Sequence, residues 1–410
     1  MSFPLYFSRK IALSKDNKNN LSRVIIFIGR LSVALGIIVS LITVSTGFGS
    51  KKAIKERLAD FSGHITIKST RSNSSYNTSV LDNNGLELNK IKELPDVLQS
   101  VQKYAMVTGI MRNEHNFAGV IFKGVGKDFD SLRFKKFLIA GTTPKITEQG
   151  YNNGVTISQK VANDLHLKVK DSIVTIFSKT DQKPVYRKFE VVGIYKTDIK
   201  MIDDQFVIGD INQVRKIQDM KPNEAGGIDI FLDNVNDIDA VFPDVEQLIG
   251  YKNYAEKATE KYPQITDWIS IFDTNIALII VIMLIVVVIN IIMVLLILII
   301  ERTNSIGLLK TLGASNAQIR ATFINYTLII MVPGLLCGNL IGIGLLLLQK
   351  FLGIIRLNPE NYYVSTVPVD LNPVAIISIS LGILLISGLA LIIPSYLISK
   401  ISPVKAIKYN

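Results

Sequence analysis

The chain has 410 residues; 48% are hydrophobic and only 19% charged, a balance that excludes an ordinary soluble protein and points to the membrane. The net charge is +11, yet residues 50–270 hold 31 Lys and Arg against 29 Asp and Glu, so the excess sits beside the apolar runs and reads as membrane topology. A nucleic-acid partner is excluded, because it would need that excess on a soluble face.

Residues 1–23 carry Arg9, Lys10, Lys15, Lys18 and Arg23 against Asp16, and form an interfacial segment at the cytoplasmic surface. Residues 24–48 are the first span. The run is too long for a signal peptide and lacks a small-residue cleavage site, so it is read as uncleaved. Arg30 lies near its start, where its head group snorkels to the interface.

Residues 49–270 form a large α+β domain between the first and second spans. After the first span the helix is expected to continue, turn at Ser62–Gly63 and enter a strand in which Ile65 and Ile67 alternate. A Ser/Asn-rich loop covers 69–85. Helices are expected over 88–104, 159–165, 211–219 and 235–262. Strands are expected over 105–111, 116–125, 154–157, 173–177, 189–195, 205–208 and 228–232. Between two of these strands, residues 178–188 have turn chemistry and four cations. The only cysteine, Cys337, lies outside this domain, which therefore has no disulfide. His64, His115 and His166 have no second ligand at metal spacing.

Trp268 is placed as an interface anchor ahead of the second span, 271–300. Within that span residues 276–300 are uncharged and carry one interior amide, Asn290; as a helix they are roughly 38 Å long, enough for a bilayer core of roughly 30 Å. Residues 301–321 form a short cationic loop. Ile306, Leu309 and Leu312 recur there at helical spacing, Gly313 stops the helix and Ser315 caps the next. Residues 322–349 are the third span, interrupted by Pro333. Its Gly334, Gly338 and Gly342 permit close approach, either to another span of this chain or to a second subunit. An outer loop over 350–373, a fourth span over 374–398 with Pro394 near its end, and a basic tail over 399–410 complete the chain. With both termini in the cytoplasm, segments 1–23, 301–320 and 399–410 place 5, 3 and 3 positive residues inside.

No catalytic motif is complete. Gly124-Val-Gly-Lys-Asp128 lacks the upstream glycine and the Ser/Thr of a phosphate loop, and neither G-x-S-x-G nor H-E-x-x-H occurs. The spans carry almost no charge, which argues against an ion-coupled relay. The chain is therefore read as a non-enzyme that draws energy from a partner.

The arrangement span, ER-x-x-x-IGLLKTLGAS-x-x-Q-I, span closely resembles the MacB/FtsX/Lol class of ABC transporter permeases. The segments GFGSKKAIKERLADFSGHITI, NDLHLKVKDSIVTIF, RKFEVVGIY and YYVSTVPVDL also resemble that class. The resemblance implies four transmembrane helices with a MacB-like periplasmic core domain, in a bacterial inner membrane. It makes Arg302, Ile306, Gly307, Leu308, Lys310, Leu312, Gly313 and Ala314 a coupling helix for a cytoplasmic ABC ATPase. The family often has an acid before the Ile-Gly pair, where this chain has Ser305.

The branch it resembles best is the lipoprotein-releasing permeases. That implies a second permease subunit, identical or paralogous, and two copies of the ATPase, which bind ATP and Mg; this chain would bind no cofactor itself. The cargo would be a lipoprotein drawn from membrane lipid and passed to a periplasmic carrier. Lys179, Lys183, Pro184, Val185 and Tyr186 fall where that branch carries a carrier-binding hairpin. Ile37, Leu41, Val44 and Phe48 of the first span, with Phe272 and Ile279 of the second, are candidates for an apolar cargo lining. A MacB-like efflux permease and an FtsX-like regulator of a cell-wall hydrolase are the alternatives.

Overall fold

The computed structural model describes residues 6, 8, 20–72, 76–83, 86–94, 97–147, 150–178 and 183–400. In chain order the main elements are helix α1 (Asn20–Ser62) and strands β1 (Ile65–Ser69), β2 (Val97–Arg112), β3 (Phe117–Val125), β4 (Leu138–Gly141), β5 (Gly154–Ser158), β6 (Ser172–Phe177), β7 (Val185–Tyr195) and β8 (Phe206–Asp210). Then come α2 (Ile211–Ile217), β9 (Gly227–Leu232), α3 (Ile238–Leu248), β10 (Asn253–Lys257), α4 (Pro263–Glu301), α5 (Thr303–Thr311), α6 (Asn316–Leu352) and α7 (Pro373–Ala390). They fall into two compact units. One draws on 51–269 and 356–366; the other comprises the described parts of the remainder.

In the first unit the ten strands form one sheet in the order β10-β1-β9-β2-β3-β8-β5-β7-β4. Strand β6 pairs with both β2 and β7, so β2, β3, β8, β5, β7 and β6 close into a six-stranded barrel. Val107, Phe122, Ile157, Phe177, Phe189 and Val191 fill its interior, and α2 adds Ile211, Val214 and Ile217. Closure leaves fewer bare strand edges. β2 is long enough to serve both the barrel and the open part of the sheet. Its first half pairs with β9, and its second half pairs with β3 and β6.

Two sequence expectations fail here. Residues 97–104 are strand, not helix: they pair with β9, and Val101, Gln102 and Tyr104 are all buried, so this stretch is covered on both faces and lacks the period-two alternation of a half-exposed strand. Residues 235–262 are not one helix. Gly250, at φ +72°, stops α3, and the polar segment Asn253–Lys257 becomes the edge strand beside β1. Strand β4 and the short helix Ser131–Lys135, capped by Asp130, carried no recognised signal.

Among the described residues four helices, α1, α4, α6 and the one that begins with α7, are long and apolar enough to cross a membrane. In the second unit α1 and α4 run antiparallel with intimate packing: an added methyl on Gly36 would lie 2.3 Å from Val287 Cγ2, and one on Gly29 2.9 Å from Val294 Cγ2. The glycine stripe of α6 meets α1 of the same chain. A methyl on Gly334 would lie 2.5 Å from the Arg30 carbonyl, and one on Gly338 2.8 Å from that of Ala34. The stripe is thus an internal helix contact. The fourth span runs over Pro373–Ser399 and changes form near its end: α7 stops at Ala390, and Pro394, which has no N–H for the Ala390 carbonyl, leaves a short turn and a 3-10 segment to Lys400.

Candidate functional site

Helix α5 lies between two apolar helices and ends as its sequence requires. Gly313 takes a left-handed φ of +90°, and the Ala314 N–H returns to the Leu309 carbonyl at 3.0 Å. Ser315 and Gln318 form a reciprocal capping box that starts α6: Ser315 Oγ accepts from the Gln318 N–H at 3.3 Å, and Gln318 Oε1 accepts from the Ser315 N–H at 2.9 Å. One face turns inward. Ile306 and Gly307 are buried, and Leu309 and Ala314 pack against the core that holds Ile291, Leu295 and Phe323. Lys310 is tied down, donating to the Ile398 carbonyl at 2.9 Å.

The opposite face carries Asn304, Ser305, Leu308, Thr311 and Leu312. Leu308 is 59% and Leu312 75% exposed. The expected stripe of Ile306, Leu309 and Leu312 is therefore split, with Leu312 on the outward side. Two apolar side chains held out by a buried anchor are suited to dock a protein surface. Arg302 is half-buried and Gly313 exposed at the two ends of the segment.

In the other unit β6 and β7 form the expected hairpin. Lys179 lies outside the described residues. Lys183 and Pro184 are exposed, Val185 turns toward the barrel core, and Tyr186 is 61% exposed. Direct cross-strand partners share a face of a sheet. One row runs Ile110, Ile176, Tyr186; the next runs Phe117, Arg112, Val174, Lys188. Ile110, Val174 and Phe117 are exposed, the last at 78%. Sequence reasoning missed these residues. The signal was Ile110 and Phe117 on facing strands, visible only once pairing is known.

Where the first span leaves the membrane unit, α1 continues into the sheet domain and its end is clamped there. Arg57 pairs with Asp198 and donates to the Thr197 carbonyl at 3.2 Å. Asp60 pairs with Arg133 and Lys136. Lys123 is buried between the Phe61 carbonyl at 3.2 Å and the Asp229 carboxylate at 2.6 Å; the other Asp229 oxygen accepts from Thr66 Oγ1 at 3.0 Å. Next to this clamp, His64 is buried and its Nδ1 accepts from the Leu232 N–H at 3.2 Å. Burial lowers its pKa to about 4, helped by the nearby Arg133 and Lys136 and opposed by Asp60.

The candidate lining residues separate. Ile37, Leu41 and Val44 are buried within the membrane unit, Ile37 and Leu41 against the α6 glycines. Phe48 is exposed, and Phe272 and Ile279 are half-buried. Trp268 meets the rings of Tyr363 at 5.2 Å and Tyr362 at 6.4 Å, edge to face. Among the described residues no group of three or more His, Cys, Asp or Glu side chains is placed to hold a metal ion.

Two family models match the chain. The MacB-like periplasmic core domain covers residues 30–248, and the FtsX-like permease C-terminal region covers 277–403. The chain is 22% identical over 429 residues to the lipoprotein-releasing system transmembrane protein LolE of Haemophilus influenzae, covering 99% of each chain. It is 21% identical over 399 residues to the LolC protein of Xylella fastidiosa, covering 93% of this chain and 92% of that one. The solved periplasmic region of MacB from Actinobacillus actinomycetemcomitans aligns with 50% of this chain and 92% of its own, at 15% identity and a TM-score of 0.33.

Proposed function

Because the chain belongs to the MacB/FtsX/Lol class of ABC transporter permeases, we propose that it is the membrane subunit of a complex that extracts lipoproteins from the inner membrane. The observation that carries the reading is end-to-end similarity to permeases named for lipoprotein release, joined to an exposed apolar face beside the β6–β7 hairpin. In this reading the termini and α5 are cytoplasmic and the sheet domain is periplasmic. Leu308 and Leu312 seat in a groove of the partner ATPase, which binds ATP and Mg; two ATPase copies serve two permease subunits. Nucleotide-driven closure pushes α5, and Lys310 shares that push with the end of the fourth span. Helices α1 and α4, which continue without a break beyond the membrane segment, carry it outward. The cargo acyl chains rest against Phe48, Phe272 and Ile279, and the lipoprotein passes to a carrier held at Tyr186 and its neighbours.

The test is to deplete the chain, separate inner from outer membrane, and follow a triacylated lipoprotein. Accumulation in the inner membrane supports release. Normal sorting with altered drug sensitivity would instead indicate efflux, and normal sorting with altered cell-wall cleavage would indicate control of a hydrolase.

A further inference from the structure

An open groove of about 660 Å3 runs along the membrane unit between α6 and α7. Ile324, Leu328, Val332, Leu385 and Gly388 make it apolar, and Asn325 places an amide in it. From Ala321 to Val332 it extends about 16 Å along α6, comparable to half of a bilayer core. One end is bordered by Ala321 and Ile392. The next residue before Ala321 is Arg320, whose guanidinium stacks 4.4 Å from the ring of Tyr396, one turn beyond Ile392.

Two polar groups here lack partners. The Arg320 Nε is buried without a hydrogen bond, and Arg320 makes no ion pair among the described residues. Asn325 makes no hydrogen bond among them either. The contrast is Asn339 on the same helix, which donates to the Leu335 carbonyl at 2.9 Å and accepts from Ser380 Oγ of α7 at 3.0 Å. Inside hydrocarbon an amide without a hydrogen bond is costly, as is the buried Arg320 Nε, and each calls for an acceptor that the chain does not supply.

We propose that this groove is a binding site for one anionic glycerophospholipid. One acyl chain lies along Ile324, Leu328 and Val332. The Asn325 amide donates to an ester carbonyl, and the phosphate-bearing head group lies at Arg320, five residues or about 7.5 Å nearer the membrane surface. A transmembrane helix of another subunit would cover the apolar wall but bring no anion to Arg320, so the charge favours lipid. The assignment is independent of what the complex transports.

The full chain is reconstituted in nanodiscs of equal parts phosphatidylglycerol and phosphatidylcholine with the same acyl chains, and the lipids it retains on release are counted by native mass spectrometry. One retained phosphatidylglycerol per chain is expected, preferred about fivefold, the selectivity one near-surface cation confers. Arg320→Gln should bring the preference to parity, and Arg320→Lys should keep most of it. Gly388→Leu should reduce retention of both lipids, since a β-carbon there makes an ordinary 3.5 Å contact with Leu328 and further atoms fill the groove. The proposal is overturned if wild type retains both lipids equally, as an unselective annulus would, if Gly388→Leu and Arg320→Gln leave retention unchanged, or if the chain emerges as a lipid-free dimer.

Discussion

The Lys310 ammonium donates a hydrogen bond to the Ile398 carbonyl across 88 residues of sequence, so helix α5 is held to the end of the fourth span rather than hanging as a free connector. That tether separates two roles within one motif. Ile306, Gly307 and Lys310 fix the helix to its own chain, while Leu308 and Leu312 face outward.

Leu308→Asp and Leu312→Asp should therefore abolish capture of the partner ATPase in a pull-down from membranes, with the permease itself still folded. Ile306→Ala should act differently. It removes a fully buried side chain at a cost of about 2–5 kcal/mol, lowering the melting temperature of the permease. Equal loss of ATPase capture and unchanged melting for both kinds of variant would refute the division.

Helix contacts within the membrane unit give a second expectation. Gly334→Val would drive a side chain into the Arg30 backbone, and overpacking of this kind costs about 1–3 kcal/mol. Gly344→Ala should be neutral, because nothing lies within 4 Å of a β-carbon there. Thermal unfolding in detergent, read on the two variants side by side, checks the difference.

Lys123 and Asp229 form a buried pair at the clamp on the end of α1. Lys123→Met leaves Asp229 as an unpaired buried carboxylate and should destabilise by about 3–5 kcal/mol. Replacing both, as Lys123→Met with Asp229→Leu, should recover most of that loss. A double-mutant cycle on the melting of the full chain measures it, and additive losses would show that the two side chains act independently.

Acid should loosen the same region through His64. Its folded pKa of about 4 lies below the unfolded value near 6.5, so as pH falls the unfolded chain takes up the proton first. Stability is therefore undiminished above about pH 6.5 and drops between there and pH 4, by about 2 kcal/mol at pH 5. Melting from pH 7.5 to pH 5 should fall less steeply in His64→Gln. An unchanged slope would assign the acid sensitivity to other groups.

What the sequence determined by itself was whatever depends on local chemistry. Uncharged runs of bilayer length read as spans, and Gly313 with Ser315 marked the break between two helices, because these signals need no neighbours. Strand pairing, burial and close approach depend on residues far away in the chain, and only the tertiary structure decided them. The burial of β2 on both faces and the edge position of β10 turned helix-like patterns into strands. The glycine stripe of α6, open to two readings in sequence, met the Arg30 and Ala34 carbonyls of α1. Leu312, grouped with Ile306 by spacing alone, faced outward, because four residues after the exposed Leu308 it falls on that side of the helix, about 240° around from Ile306.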